Sequence, residues 1–359
     1  MGHTEKMHSI KKWMFDFMIG NCSNKNCIAP KQSRIRVFNC FILAVSFCFL
    51  VLISSGCQRS STKVKVLLDW VPNTNHTGFY IARDLGYYES EGIQVEILQP
   101  SEGGSADLVA SGQAEFGVSY QEEVTYARTA KNPLPIKAIA AIIQHNTSGF
   151  ASPKDKNITS PKDFEGKKYG GWNSPMEEAV LKGLMQKSGA DFSKLKMVNV
   201  GQADFFAVTR KDVDFAWIYY GWDGVAAEVK NFPINFIKLQ DVVPELDFYT
   251  PVIITNEKII NSNPELIRKF LKATKKGYEY CIENPDKAAQ ILVKAVPELD
   301  KELVAASQRY LAKEYISDAK RWGEMKEEIW DTFAKWMYDN KLLERELDAK
   351  QAFTNEFLP

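Results

Sequence analysis

The strongest constraint on the fold is an alternation of short apolar runs with helical stretches, which begins at Val64 and begins again after residue 143. In the first stretch we predict strands at 64–70, 93–98, 115–120 and 136–143, with helices at 79–92, 105–113 and 121–130. Such alternation is typical of a mostly parallel sheet with helices on both faces. The pattern therefore predicts one α/β unit in the first part of the chain.

The pattern after residue 143 predicts a second α/β unit. Its strands are expected at 168–172, 196–200, 214–220, 234–239 and 250–256. The helix at 174–189 has a clear beginning, because Ser174 can cap it and Pro175 suits the first helical position. From Pro264 to about residue 346 the chain is predicted to be helical.

Two segments are expected to connect these units. The strand at 136–143 continues into 144–152, which we predict to cross to the second unit, and the strand at 250–256 is predicted to cross back. Two crossings form a hinge, and the cleft between lobes joined in this way is where such folds hold ligands. The predicted lobes are 64–145 together with 251–359, and 146–250.

Residues 1–56 are predicted to be an export leader. They contain seven Lys/Arg against two Asp/Glu, although the whole chain is neutral, with 45 of each kind. The basic end of this segment, at Lys31, Arg34 and Arg36, precedes the apolar run 37–53. Net neutrality also argues against a nucleic-acid-binding protein.

The leader ends at small residues and Cys57, as bacterial lipoprotein signals do. We predict that Cys57 is acylated, that 57–63 is a tether, and that the protein is lipid-anchored outside the cytoplasm of a bacterium. Ser54 stands where that signal usually has an aliphatic residue, so a plain signal peptide or an uncleaved anchor is the alternative.

The cysteines are consistent with this processing. Four lie in the leader, at Cys22, Cys27, Cys40 and Cys48, and only Cys281 would remain beside Cys57. The mature chain would therefore have no internal disulfide and no cysteine spacing suited to a metal. Cys281 is interpreted as a buried packing residue.

Polar residues follow three predicted strands of the first unit. The segment 69–78 contains Trp70, Asn73 and His76, the segment 101–105 contains a Gly pair, and 120–123 contains Tyr120, Gln121, Glu122 and Glu123. The carboxyl edge of such a sheet is where ligands bind, and these side chains offer a stacking face, amides and carboxylates. The alternatives are a helix-capping loop, a simple turn and acids favoured by the helix dipole.

The second unit offers aromatic residues at the same edge. Trp172 and Glu177 lie in a strand-to-helix turn, and 214–223 is the most aromatic run of the chain, with Trp217, Tyr219 and Tyr220. Core packing is the alternative for some of them. We find no GxSxG or HExxH pattern, so this cleft is expected to bind a ligand rather than to convert it.

Several of these motifs resemble one known family. The segments DWVPNTNHTG (69–78), FGVSYQEEV (116–124), SPKDFEGKKYGGW (160–172) and DFAWIYYGWD (214–223) are similar to those of formyl-aminopyrimidine-binding proteins. These proteins serve ABC transporters that take up thiamine pyrimidine precursors. They share a fold with the fungal pyrimidine synthases of thiamine biosynthesis.

The resemblance implies a type II periplasmic-binding-protein fold with two lobes, a two-strand hinge and a helical C-terminal region. It implies a small aminopyrimidine ligand, an ABC permease as partner, no cofactor and no metal, and we expect a monomer. Carried over residue by residue, the ligand-binding side chains would be Trp70, Asn73, His76, Tyr120, Gln121, Glu122, Trp172, Glu177, Trp217, Tyr219 and Tyr220.

Two rival functions remain. The first is binding of another flat heterocycle, such as a flavin precursor, or of a sulfonate. The second is a pyrimidine synthase. The fungal synthases carry a Lys and a His in the segment matching 117–124, where this chain has Ser119 and Glu123, so we expect no enzyme.

Overall fold

The computed structural model describes residues 61–99, 104–201 and 203–359. Two five-stranded sheets form the centres of two lobes. The first sheet contains β1 (Thr62–Leu67), β2 (Ile93–Leu98), β3 (Phe116–Ser119), β4 (Ile136–Ala141) and β10 (Val252–Asn256). The second contains β5 (Ser148–Pro153), β6 (Lys168–Gly171), β7 (Lys196–Asn199), β8 (Phe215–Tyr219) and β9 (Ile234–Lys238).

Helices cover both sheets. Those of the two α/β units are α1 (Thr77–Asp84), α2 (Tyr87–Ser90), α3 (Ser105–Ala110), α4 (Gln121–Thr129), α5 (Pro175–Lys187), α6 (Phe205–Lys211), α7 (Val225–Val229) and α8 (Leu239–Val242). The C-terminal helices are α9 (Glu257–Ser262), α10 (Pro264–Glu283), α11 (Pro285–Ala295), α12 (Lys301–Glu314), α13 (Glu327–Asp339) and α14 (Ala349–Ala352).

The strand order confirms the two crossings. The first sheet runs β2-β1-β3-β10-β4 and the second runs β7-β6-β8-β5-β9, so the chain passes once from β4 to β5 and returns once from β9 to β10. The strand that follows each crossing, β5 in the second sheet and β10 in the first, pairs antiparallel with both of its neighbours. The sheets are therefore mixed rather than mostly parallel, and 250–256 belongs to the first sheet instead of completing the second.

The predicted helix at 79–92 is in fact two helices. Gly86 has a φ of 74° and lies between α1 and α2, a left-handed conformation that glycine adopts without steric cost. The apolar periodicity of the sequence continues through this turn, so it did not indicate that the helix ends there. Helix α3 is capped by Gly104 rather than by Ser105, whose hydroxyl donates to the Val118 carbonyl.

Helix α13 is shared between the lobes. Its Trp330 is buried in the core of the first sheet, whereas Phe333 and Met337 are buried in the core of the second. Phe333 stacks on Phe248, with ring centroids 4.2 Å apart. Apolar residues along one face of this helix thus contribute to the cores of both lobes.

An ionic cluster ties together the two crossings. His145, on the first crossing, contacts Asp247 on the second through Nδ1 at 2.7 Å and Asp318, after α12, through Nε2 at 3.0 Å. Lys326 contacts the other oxygen of Asp318 at 2.9 Å. The hydrogen bond with Asp247 is the main cause that raises the pKa of His145 above 6.5.

This cluster predicts a pH-dependent stability. Because the folded-state pKa of His145 is raised, its stabilisation is complete below the unfolded value and is lost as the pH rises through the folded value. A His145→Gln variant should lower the free energy of unfolding by about 1 kcal/mol at acidic pH and by less at alkaline pH. Denaturant unfolding at both pH values measures this, and a difference independent of pH would contradict it.

The remaining cysteine lies in the core, as predicted. Cys281 on α10 is buried and forms no disulfide. Cys57, the predicted leader and most of the tether lie outside the residues that the structure describes. Across 61–99, 104–201 and 203–359, no helix has the length and apolar character needed to span a bilayer.

Candidate functional site

The loop after β1 is organised by its own polar side chains. Asn73 caps the short 3-10 helix Thr74–His76, accepting from the Asn75 N–H at 2.9 Å and donating to the Val71 carbonyl at 3.1 Å. The Asn73 N–H in turn donates to Nδ1 of His76 at 3.2 Å. Asn73 and His76 therefore hold the loop, which leaves the neighbouring Trp70 41% exposed.

His76 connects this loop to a buried carboxylate. Its Nδ1 accepts, so the proton belongs on Nε2, which lies 2.6 Å from Asp69. Tyr120, at the end of β3, also hydrogen-bonds to Asp69. Burial alone would raise the pKa of Asp69, but the interactions with His76 and Tyr120 outweigh burial and lower it below 3.8. Asp69 is therefore an ionised carboxylate held between two ring systems.

The side chain of Gln121 belongs to the frame of the cleft. It is 0% exposed, its Nε2 donates to the Ile329 carbonyl at 3.2 Å, and its Oε1 accepts from the Tyr249 N–H at 2.8 Å. Both ends of the amide are therefore used within the protein, where they join α4 to the second crossing and to α13.

Glu177 organises the matching turn of the second lobe. Its carboxylate accepts from the Tyr169 hydroxyl at 2.6 Å, the Trp172 N–H at 3.0 Å and the Ser174 N–H at 2.8 Å. Ser174 caps α5 with Pro175 at its first position, as predicted. Because the backbone is held in this way, the Trp172 side chain stands 54% exposed at the edge of the lobe.

The end of β8 brings aromatic residues towards the hinge. Phe215, Trp217 and Tyr219 share one face of the strand, and exposure rises along it from a buried Phe215 to a Tyr219 that is 40% exposed. Trp217 packs on Phe150 at 5.6 Å between ring centroids, and its indole Nε1 has no partner within the described residues. Tyr219 hydrogen-bonds to Thr250 on the second crossing.

Tyr220 does not join this group. Its hydroxyl donates to Glu228 at 2.6 Å, and its ring packs against Phe236 on β9 and Tyr310 on α12. The alternation of side chains along a strand accounts for this, since neighbouring residues point to opposite faces.

Glu122 is the carboxyl group that faces open space. No hydrogen bond or ion pair joins it to another of the described residues, and it lines a cavity of about 340 Å³ between α4 and the beginning of α5. Burial, with the nearby charges of Glu123 and Glu177, raises its pKa to about 7. Its charge also affects Tyr219, so it lies close to the aromatic group.

The structure thus divides the predicted site residues into two sets. One set, which we call the cleft group, keeps exposed or partly exposed side-chain surface near the ends of strands, namely Trp70, Tyr120, Glu122, Trp172, Trp217 and Tyr219. A supporting group has its polar atoms used within the protein, namely Asn73, His76, Gln121 and Glu177.

Two carboxylates of this region were not among the ligand-binding residues predicted from the sequence. Asp69 opens the predicted loop and lies beside Tyr120, and its place just beyond β1 was the signal that pointed to it. Asp223 lies in the π-helical turn Tyr220–Gly224, where burial raises its pKa to about 6. No spacing in the sequence distinguishes Asp223 from a surface acid.

Two α/β lobes, two crossings and a polar cleft between them define a periplasmic-binding-protein fold. The periplasmic aliphatic sulphonate binding protein SsuA from Escherichia coli has this fold, with a TM-score of 0.64 and 14% identity over 81% of this chain and 92% of that one. Residues 73–288 match the NMT1/THI5 like family, to which this chain belongs. The resemblance and the fold class inferred from the sequence are thereby confirmed.

Curated relatives include both binding proteins and enzymes. A formylaminopyrimidine-binding protein of Halalkalibacterium halodurans is 27% identical over 87% of this chain and 97% of its own length. A 4-amino-5-hydroxymethyl-2-methylpyrimidine phosphate synthase of Legionella pneumophila is 26% identical over 83% of this chain and 93% of its own. The relatives of this chain therefore include proteins that bind a pyrimidine and proteins that synthesise one.

Proposed function

We propose that this chain is an extracytoplasmic, lipid-anchored solute-binding protein of an ABC importer. Its ligand is a thiamine pyrimidine precursor, N-formyl-4-amino-5-aminomethyl-2-methylpyrimidine or a close relative. The lobes bind the ring between them and release it unchanged to a permease. The relative from Halalkalibacterium halodurans supports this ligand class.

The observation that carries the proposal is the pairing of exposed aromatic faces with carboxylates. Trp70 and Trp172 are exposed on opposite lobes, and two carboxyl groups lie near the first of them in the chain or the fold: Asp69 directly precedes Trp70, and Glu122 lies in the first turn of α4. An aminopyrimidine has a flat face for stacking and an amino edge that donates hydrogen bonds to carboxylates. The aromatic rings of the cleft thus suit the flat face of such a ligand, and the carboxylates suit its amino edge.

The charges in the cleft argue against a sulfonate. None of the cleft group is Lys or Arg, whereas the ionised Asp69 lies beside Tyr120, a member of that group. An anion would face this carboxylate without a Lys or Arg of the cleft group to compensate it, which is unfavourable in a partly desolvated site. The same reasoning disfavours retention of a phosphate product.

The cleft also argues against a synthase. Ser119 and Glu123, at the positions of the fungal Lys and His, form a hydrogen bond with each other across one turn at the beginning of α4. Neither is an amine that could form a Schiff base with a cofactor aldehyde. The two side chains are instead hydrogen-bonded to each other.

A thermal-shift panel tests the function. A true ligand at 100 times its dissociation constant should stabilise the protein by about 2.7 kcal/mol. We expect this for the formyl-aminopyrimidine and its deformylated amine, and no shift for riboflavin or an alkanesulfonate. Stabilisation by a sulfonate alone, or appearance of a chemically altered pyrimidine in the incubated sample, would overturn the proposal.

A further inference from the structure

The cavity beside Glu122 is lined by residues from three parts of the chain. It is bounded by Glu122 and Tyr126 on α4, by Ser174 and Met176 at the beginning of α5, and by Lys341 and Leu342 after α13. We call this space the side chamber. Pockets of about 300–1,000 Å³ hold drug-sized ligands, and the side chamber, at about 340 Å³, falls within that range.

The side chamber adjoins the cleft group. Glu122 begins α4 directly after Tyr120 and Gln121, and its charge reaches Tyr219 on β8 and Glu177 on α5. A ring stacked between the lobes would therefore have the Glu122 carboxyl at one edge. A substituent on that edge of the ring would extend into the side chamber.

The lining of the side chamber favours a cation. Glu122 is largely withdrawn from water and lacks a partner among the residues described, a costly state for a carboxylate. Tyr126, one helical turn further along α4, supplies an aromatic ring, and Met176 and Leu342 supply apolar surface. A delocalised organic cation satisfies both features, since it neutralises the carboxylate and packs against rings. Lys341 is exposed, so its ammonium can remain in solvent.

We propose that the side chamber is a subsite for a positively charged substituent, so that the protein also binds aminopyrimidines joined to a cationic ring. This inference rests on the proposed function. It adds a second class of ligand, aminopyrimidines that carry a cationic ring. Glu122 and the side chamber would determine how well this class binds relative to uncharged aminopyrimidines.

Titration calorimetry on the purified chain tests the subsite with two probes. Thiamine carries the aminopyrimidine joined through a methylene to a thiazolium cation, and 4-amino-5-hydroxymethyl-2-methylpyrimidine carries the same ring without the cation. In Glu122→Gln we expect thiamine affinity to fall at least tenfold, and further than affinity for the uncharged probe. The matched control is Glu123→Gln, whose carboxylate is bonded to Ser119 and does not line the chamber, so it should change the ratio of the two affinities much less than Glu122→Gln does.

A chamber-filling variant and proton release provide independent readouts. Leu342→Trp should raise the ratio of the thiamine to the uncharged-probe dissociation constant, because its indole occupies the chamber. Because Glu122 has a pKa of about 7, a bound cation should also release a proton near neutral pH. The measured heat should then differ between buffers of different ionisation enthalpy, and this difference should disappear in Glu122→Gln.

The outcomes separate the two proposals. If neither probe binds, the proposed function fails and the subsite fails with it. If the uncharged probe binds but thiamine does not, or if Glu122→Gln weakens both equally with no change in proton release, the subsite alone is overturned and the aminopyrimidine receptor stands.

Discussion

A Trp172→Ala variant is expected to bind the aminopyrimidine about 5- to 150-fold more weakly than the unaltered protein while unfolding at the same denaturant concentration. The side chain is 54% exposed, so its removal leaves no cavity in the core. Stacking of a base on an aromatic side chain contributes about 1–3 kcal/mol, which sets the range of the loss. Titration calorimetry and urea unfolding of the same preparation give the two quantities.

The control for this variant is Leu85→Ala. Leu85 is also a large exposed apolar residue, at 41%, but it follows α1 away from the cleft group. We expect its affinity to equal that of the unaltered protein. Equal affinity in Trp172→Ala would remove this tryptophan from the binding surface, and an equal loss in Leu85→Ala would show that the effect is not specific to the cleft.

Replacing Gly277 by alanine is expected to destabilise the protein by about 3 kcal/mol. Gly277 on α10 lies at the crossing with α1, and a Cβ there would be 2.0 Å from the carbonyl oxygen of Gly78. Backbone cannot move aside as a flexible side chain can, so the two helices must separate. The separation would also disturb the binding loop, because the Tyr278 hydroxyl donates to the Asn75 carbonyl at 2.7 Å.

The same substitution at Gly183 is the matched control. Gly183 lies inside α5, and a Cβ there would be 3.6 Å from Trp336, an ordinary contact. Alanine in a helix interior is favoured over glycine by about 0.5–1 kcal/mol, so Gly183→Ala should stabilise the protein slightly. Denaturant unfolding gives both values, and a Gly277→Ala variant as stable as Gly183→Ala would contradict the close crossing.

Local patterns predicted most of the elements because their causes are local. The strand at 93–98 and the beginning of α5 at Ser174 follow from apolar runs and capping chemistry within a few residues. The strand β5 was missed because Ser148–Pro153 contains Gly, Ser and Pro beside a single Phe. Its strand conformation depends on pairing with β8 and β9 on both sides.

The site was predictable as a region but not residue by residue. Polar side chains at the ends of strands indicated the first loop and the beginning of α4, and the structure places Asp69 and Tyr120 of these two segments beside each other. Sequence could not separate side chains that face a ligand from those that support the loop, because both tasks use amides and carboxylates. Gln121 supports the loop because its Oε1 accepts from the N–H of Tyr249, which is 128 residues away in the chain.

What the amino-acid sequence determined by itself is the α/β pattern, the two crossings and the set of side chains available at the cleft, because apolar periodicity, caps and turns act over a few residues. Tertiary structure alone decided which of those side chains are free. Asn73 and His76 hold each other and the Asp69 carboxylate, whereas Glu122 is left facing a cavity. The physical reason is that a buried polar group takes whatever partner the packed chain brings within hydrogen-bonding distance, and that distance is set by the whole fold.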